Sequence, residues 1–89
     1  MLPSNREPTH PGEVIEEEFL KPLKMSQAAL AQKLNMSSQQ LNPIIRGRHG
    51  VSAMTALRLA KTFGTSPEFW MNLQTSYDLW HAQKKLKAG

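Results

Sequence analysis

Residues 25–47, "MSQAALAQKLNMSSQQLNPIIRG", carry the start and stop signals of two short helices with a tight turn between them. Ser26 precedes an amphipathic run and is a typical N-cap. Ser37 and Gln40 form the pattern of a capping box for another helix, and Gly47 is placed to end it. The apolar side of the first helix consists of Leu30, Ala31 and Leu34. The stretch therefore predicts helix, turn and helix.

This order is the helix-turn-helix scheme, in which the later helix enters the DNA major groove and the earlier one braces against the DNA backbone. Helical periodicity places Leu41, Ile44 and Ile45 on the buried side of the later helix. The outward stripe is then Gln39, Asn42, Pro43 and Arg46. The motif as a whole points to binding of double-stranded DNA.

The residue types on this outward stripe fit that function. Gln and Asn can make paired hydrogen bonds to the adenine edge, and Arg can bind guanine or phosphate. Gln27 at the start of the earlier helix, with Ser38 and Arg48 on either side of the stripe, is placed to reach the DNA backbone. The predicted DNA contacts are Gln27, Ser37, Ser38, Gln39, Asn42, Pro43, Arg46 and Arg48. The alternative is an ordinary solvated face, since Gln and Asn are common surface residues.

The charge distribution favours the DNA hypothesis. The chain has 89 residues and a net charge of +4, and residues 1–20 hold five glutamates against Arg6. Residues 19–67 contain no Asp or Glu, yet they contain seven Lys and Arg residues. A long window of positive charge suits a polyanion, because each neutralised phosphate releases condensed counterions. A generically basic small protein is the competing interpretation.

Pro43 lies inside the predicted recognition helix and conflicts with it. An interior proline removes one backbone hydrogen bond and costs about 3 kcal/mol. We expect a kinked but continuous helix, in which the unpaired carbonyl of Gln39 faces outward. In the rival interpretation Asn42 caps a short helix that begins at Pro43.

The remaining segments also predict helices, so the fold class is all-α with five helices, the helix-turn-helix being helices two and three. "HPGEVIEEEFL" predicts a first helix that Pro22 closes. Ser52 is expected to cap a fourth helix that Gly64 stops, and Ser66 with Pro67 starts a fifth. Residues 1–9 are predicted to form a flexible arm, and residues 10–86 a single domain.

The fifth predicted helix, about residues 67–85, carries an aromatic and apolar stripe. We expect Phe69, Trp70 and Leu73 to belong to the core. The rings beyond them are more than so small a core can bury, which predicts a two-fold dimer through this helix. The predicted dimer interface is Tyr77, Leu79, Trp80 and Leu86.

The chain resembles a known family over most of its length. Residues 25–47 resemble the helix-turn-helix of phage-repressor-like proteins. The flanking stretches "HPGEVIEEEFLKPLKMSQ" and "TALRLAKTFGTSPEFWMNLQTSYDL" resemble the HigA antitoxins, also called virulence-associated protein I. By that resemblance Gln27, Ser38 and Gln39 match the base- and phosphate-reading sites of the repressor motif. Pro43 departs from the family, which normally has a helix former there.

The resemblance implies a bacterial type II toxin–antitoxin system. The partner would be a HigB-type toxin, a ribosome-dependent mRNA endonuclease, and the antitoxin would neutralise it. The antitoxin would also repress its own operon as a homodimer bound to a palindromic operator. Two alternatives stay open: a plain repressor without a toxin, and a helix-turn-helix protein-interaction module that does not read DNA.

The glutamates of the first helix allow three interpretations. Glu13, Glu16 and Glu17 can be a solvated helix face, a metal or acid–base site, or a landing patch for a basic toxin. The solvated face is the default. The three histidines are scattered without ligand spacing, so no metal site is expected.

Several function classes are excluded by what the sequence lacks. It has no cysteine, no phosphate-binding loop and no nucleophile–base pattern, so we expect no enzyme, no cofactor and no small-molecule substrate. The absence of a long apolar run predicts no membrane segment. With no signal peptide evident, we expect a cytoplasmic, nucleoid-associated protein.

Overall fold

The computed structural model describes residues 6–88, and within them the chain forms five helices and no β-strand. The first helix, α1, covers residues 11–23. The others are α2 (Gln27–Lys33), α3 (Ser38–Ile45), α4 (Ala53–Phe63) and α5 (Pro67–Ala88). The predicted all-α fold with five helices is confirmed. Residues 1–5 of the predicted arm lie outside the described residues.

Local capping signals set most of the helix ends. The Ser26 hydroxyl accepts a hydrogen bond from the Ala29 N–H at 3.0 Å, and Ser52 does the same for Thr55 at 3.2 Å. Gly64 ends α4 with a φ of 74°, a left-handed conformation that glycine adopts without steric cost. These starts and stops agree with the sequence prediction. The last helix runs three residues beyond the expected Lys85 and ends at Ala88.

The first helix differs from its prediction at its end. Its middle, Ile15–Leu20, is a π-helical turn, in which the Lys21 N–H donates to the Glu16 carbonyl. The expectation that Pro22 closes the helix is wrong by one residue, because the chain stays helical to Leu23. Lys24 then ends it with a φ of 53°. The shifted hydrogen-bond register of the π turn lets a proline follow at the start of a new α-helical turn.

One core holds the five helices together. Ile15, Leu30, Leu41, Leu59 and Trp70 are completely buried in it. Trp70 also donates its Nε1–H to the Thr65 hydroxyl at 2.6 Å, which satisfies its polar atom. The sequence prediction that Trp70 is a core residue is confirmed. Phe69 was expected beside it, but its side chain is 40% exposed and packs edge-on against the Trp70 ring.

A close backbone approach sets the position of α1 against α3. Gly12 is buried at the start of α1, and a Cβ atom there would overlap the Ile44 carbonyl and lie 2.8 Å from the Ile45 oxygen. Only glycine permits this separation. The N-terminal end of α1 is therefore fixed on the C-terminal end of the predicted recognition helix.

Candidate nucleic-acid interface

Helices α2 and α3, with the turn between them, form the helix-turn-helix unit that the sequence predicted. Asn35 turns the chain with a φ of 56°. The Ser37 hydroxyl accepts from the Gln40 N–H at 3.1 Å, and the Gln40 side chain accepts from the Ser37 N–H at 3.0 Å. This capping box satisfies two backbone donors at the start of α3. The N-terminal turn of α3 is therefore well ordered although the helix is short.

Pro43 is contained within α3 without breaking it. The helix is continuous from Ser38 to Ile45, which confirms the expected continuity and rules out a new helix capped by Asn42. The carbonyl of Pro43 accepts hydrogen bonds from the Arg48 N–H at 2.8 Å and the His49 N–H at 3.2 Å. The bonds to the Pro43 carbonyl stabilise the C-terminal side of the helix, where the ring has removed a donor.

The outer side of α3 presents polar side chains at its N-terminal half. Ser38 and Gln39 are exposed, and Arg48 is exposed just beyond the helix. Pro43 is half-buried, and so is Asn42, whose Nδ2 donates to the Gln27 Oε1 at 3.0 Å. That hydrogen bond joins α2 to α3. The Nε2 of Gln27 and the side-chain Oδ1 of Asn42 are then the atoms that can still bind a ligand.

Arg46 is exposed at the C-terminal end of α3. It lines a pocket of about 400 Å³ together with three glutamates of α1: Glu13, Glu16 and Glu17. Of these, Glu17 makes an ion pair with Lys21 at 2.8 Å. The predicted DNA contact at Arg46 and the predicted toxin patch are therefore neighbours. Helical periodicity missed this because it does not show which element packs beside a given face.

Arg58 contacts the helix-turn-helix unit in a way that the sequence did not predict. Its Nη1 atom donates to the carbonyl of Leu34 at 3.3 Å and to that of Asn35 at 3.4 Å. These carbonyls lie at the end of α2 and in the turn. Arg58 stands on α4, more than twenty residues along the chain, so no local spacing could have indicated the contact.

His10 connects three elements near the end of α3. Its Nδ1 accepts from the Gly12 N–H at 2.9 Å and so caps α1. Its ring packs on Gly47 and lies edge-on to Tyr77, with ring centroids 4.7 Å apart. Burial lowers the pKa of His10 from its ordinary value of 6.5, and a backbone contact with His49 opposes that effect. The imidazole is held neutral, because only an unprotonated Nδ1 can accept the bond.

The residues predicted for the dimer interface differ in exposure. Leu79 is 57% exposed and Leu86 is 82% exposed, whereas Tyr77 and Trp80 are half-buried. Burial raises the pKa of Tyr77, and the nearby Glu7 carboxylate adds to the effect. Lys84 lies over the Trp80 ring at 4.9 Å from its centroid. Leu79 and Trp80 line a groove beside the chain that precedes α1.

Residues 6–88 offer neither a metal centre nor a membrane-spanning helix. Within that range no group of three or more histidine, aspartate or glutamate side chains is arranged to hold a metal ion. None of the helices in the same range is both long enough and apolar enough to cross a bilayer.

Comparison with known proteins identifies the family. A helix-turn-helix family model matches residues 17–70. Virulence-associated protein I of Dichelobacter nodosus is 47% identical over 75 residues, which cover 84% of this chain and 69% of that protein. The chain belongs to the helix-turn-helix family of HigA-type antitoxins. The predicted phage-repressor-like fold and the prediction of a non-enzymatic protein are confirmed by this membership.

Other members of the HigA family are similar over nearly the whole chain. Antitoxin HigA-1 of Vibrio cholerae is 35% identical over 86 residues, covering 96% of this chain and 80% of that protein. The Pseudomonas aeruginosa antitoxin HigA, solved with the higBA promoter, matches with a TM-score of 0.85 and 46% identity. That match covers 88% of this chain and 85% of the solved one.

Proposed function

We propose that this HigA-family protein is a sequence-specific DNA-binding antitoxin that represses its own operon as a homodimer. The observation that carries the proposal is the exposed pair Ser38 and Gln39, on a capped and continuous α3, within a stretch of 49 residues free of acids. A helix presented in this way fits the major groove. The P. aeruginosa relative solved with its promoter supports the same role.

The side chains divide into base-reading and backbone-binding groups. Gln39 is exposed on α3 and can make paired hydrogen bonds to adenine, while Ser38 beside it can donate to a base or phosphate. Arg48 and the amide group of Gln27 bind phosphates, which position the helix without carrying sequence information. The side-chain oxygen Oδ1 of Asn42 can accept a hydrogen bond from DNA, because only the Nδ2 atom of that side chain is bonded to Gln27.

Dimerisation through α5 would explain how two such helices bind a palindrome. Leu79 and Leu86 give this helix two leucines that stay exposed among residues 6–88. A two-fold axis there would set the recognition helices about 34 Å apart, one turn of DNA. The operator DNA would place the protein in the cytoplasm, associated with the nucleoid.

The partner protein is a HigB-type toxin, which cleaves mRNA on the ribosome and which the antitoxin neutralises. A protein that binds RNA is expected to be basic, and Glu13, Glu16 and Glu17 line one pocket that would receive its cations. The pocket also contains Arg46, at the end of α3. Toxin binding and DNA binding would therefore meet at this end of the helix.

The toxin surface can be tested by charge reversal with a matched control. We expect the double substitution Glu16→Lys with Glu17→Lys to weaken toxin binding at least tenfold. The reason is that an attraction between opposite charges across the interface becomes a repulsion between like charges. Glu18→Lys is the control, since Glu18 is exposed on the same helix but does not line the pocket. Titration calorimetry with the purified toxin measures both. Equal binding by all three proteins would remove the glutamates from the interface.

The DNA-binding function is tested on the region upstream of the gene. Fluorescence anisotropy should show tighter binding to this DNA than to a shuffled duplex of equal length, by about 10³-fold or more. The affinity should fall steeply between roughly 50 and 200 mM salt. Equal affinity for the two duplexes would instead indicate a helix-turn-helix module that does not read sequence. Repression in an operon that holds no toxin gene would indicate a plain repressor.

A further inference from the structure

Arg58 holds the turn of the helix-turn-helix unit from outside it. The guanidinium lies 3.3 Å from the Leu34 carbonyl oxygen and 3.4 Å from that of Asn35. Leu34 is the C-cap residue that follows α2, and Asn35 has the left-handed conformation that reverses the chain. Arg58 itself is half-buried on α4, beside the completely buried Leu59.

The guanidinium suits the carbonyls at the end of α2 and in the turn. The last carbonyls of any helix receive no hydrogen bond from an N–H of the same helix. They also carry the partial negative charge of the helix dipole. The N–H groups of Asn35 and Met36 already fold back onto the carbonyls of Gln32 and Ala31. The Nη1 of the charged guanidinium donates to the carbonyls of Leu34 and Asn35, and its positive charge complements the partial negative charge of the helix end.

The choice of carbonyl partners also suits the electrostatics of the surface. An arginine that is half-buried usually pairs with a carboxylate, but residues 19–67 contain none. A carboxylate near the turn would add negative charge close to bound DNA and weaken its binding. The carbonyls of Leu34 and Asn35 hold the guanidinium and bring no negative side chain near the DNA.

From this geometry we infer that Arg58 is a positioning residue for sequence reading: it fixes the angle of α3 against α2 by binding the turn between them, and it does not bind phosphate. The inference rests on the proposed DNA-binding function. Arg58 would act on specificity, since an error in the angle of α3 displaces Gln39 from the base edges while backbone contacts adapt more easily.

The test compares Arg58→Met with Arg48→Met in anisotropy titrations on the operator and on shuffled DNA, each across a salt series. For Arg58→Met we expect about a tenfold loss of operator affinity, the size expected when a charge-assisted hydrogen bond is removed. Affinity for shuffled DNA and the salt slope should stay as in the wild type. For Arg48→Met, both affinities should fall and the slope should decrease by about one.

Measurements on the free protein separate this inference from the proposed function. Hydrogen exchange at the Asn35 and Met36 amides should accelerate in Arg58→Met and recover in Arg58→Lys, while the amides of α5 stay unchanged. If Arg58→Met lowers both affinities and the salt slope as Arg48→Met does, Arg58 binds phosphate and the inference is wrong. Unchanged exchange at the turn would overturn it as well. A wild type that does not prefer its operator would refute the proposed function, and the exchange result would still decide what Arg58 holds.

Discussion

At the scale of single residues, His10 shows how one side chain can join several elements. It caps α1, packs on Gly47 after α3 and contacts Tyr77 on α5. Since its Nδ1 must be unprotonated to accept the Gly12 N–H, the folded state favours the neutral ring. The stability of the whole domain should therefore depend on the protonation of this residue.

That dependence has a definite sign. Burial lowers the pKa of His10 in the folded state below 6.5, although Asp78, Glu13 and Glu7 act in the opposite direction. The unfolded chain then binds the proton first, so the stabilisation is complete above about pH 6.5 and is lost as the pH falls through the lowered pKa. We expect the melting temperature to fall between about pH 7.5 and pH 5.5.

His10→Asn is the matched variant, because asparagine can cap a helix but does not titrate. Its melting temperature should vary less with pH over the same range, whatever its absolute value. Differential scanning calorimetry of both proteins gives the comparison. Parallel curves for the two proteins would show that His10 is not the titrating group.

Gly12 gives a second prediction at this scale. Gly12→Ala should destabilise the fold by about 1–3 kcal/mol, because the added methyl group overlaps the Ile44 carbonyl and must push α1 away from α3. Urea unfolding measures the change. The exposed neighbour Glu13→Ala should stay within about 0.5 kcal/mol of the wild type. A Gly12→Ala protein as stable as the wild type would contradict the close approach of the two helices.

Some contacts of this protein were predictable from its sequence and others were not, for a physical reason. The caps at Ser26, Ser37 and Ser52 were predictable because each depends on a backbone group three residues away. The bonds of Arg58, the exposure of Phe69 and the place of Arg46 beside acidic residues depend on how distant elements pack. No local spacing encodes those contacts. The DNA and toxin contacts themselves stay predictions.

At the scale of elements, α3 shows that a capping box can support a short helix that contains a proline. The proline removes a donor from the ladder, but the box fixes the first turn and the bonds from Arg48 and His49 to the Pro43 carbonyl fix the last. α3 therefore stays continuous from Ser38 to Ile45.

Pro43→Ala should therefore stabilise the protein without changing the helix. The substitution restores a backbone donor to the Gln39 carbonyl, and alanine is about 3 kcal/mol better than proline inside a helix. We expect a gain of about 1–3 kcal/mol, or roughly 4–8 °C in melting temperature per kcal/mol. A lower melting temperature would mean that the proline ring makes packing contacts worth more than the hydrogen bond it removes.

At the scale of the whole molecule, the acidic cluster and the two leucines proposed for the dimer interface lie on different helices. The acids cluster on α1, the acid-free stretch runs from residue 19 to residue 67, and the exposed leucines Leu79 and Leu86 lie on α5. A chain of 89 residues thus has a dimer surface on α5 that is distinct from the proposed DNA and toxin surfaces, which adjoin each other at Arg46.

The dimer surface can be tested against another exposed leucine. Leu79→Lys with Leu86→Lys should make the protein monomeric in sedimentation equilibrium, because two buried leucines would be replaced by charges at the interface. Leu57→Lys is the control, since Leu57 is 53% exposed on α4 and Leu79 is 57% exposed. The control should stay dimeric. A wild type that is monomeric at high micromolar concentration would contradict the interface.

Base reading by α3 is tested by the affinity of Gln39→Ala for the operator and for operators with single base-pair changes. We expect a loss of about 1–3 kcal/mol, with discrimination removed at one base pair of each half-site. Gln32→Ala, at an exposed glutamine of α2, is the control and should bind as the wild type does. If Gln39→Ala keeps full discrimination at every base pair, or weakens all sequences equally, α3 does not read the operator through this residue.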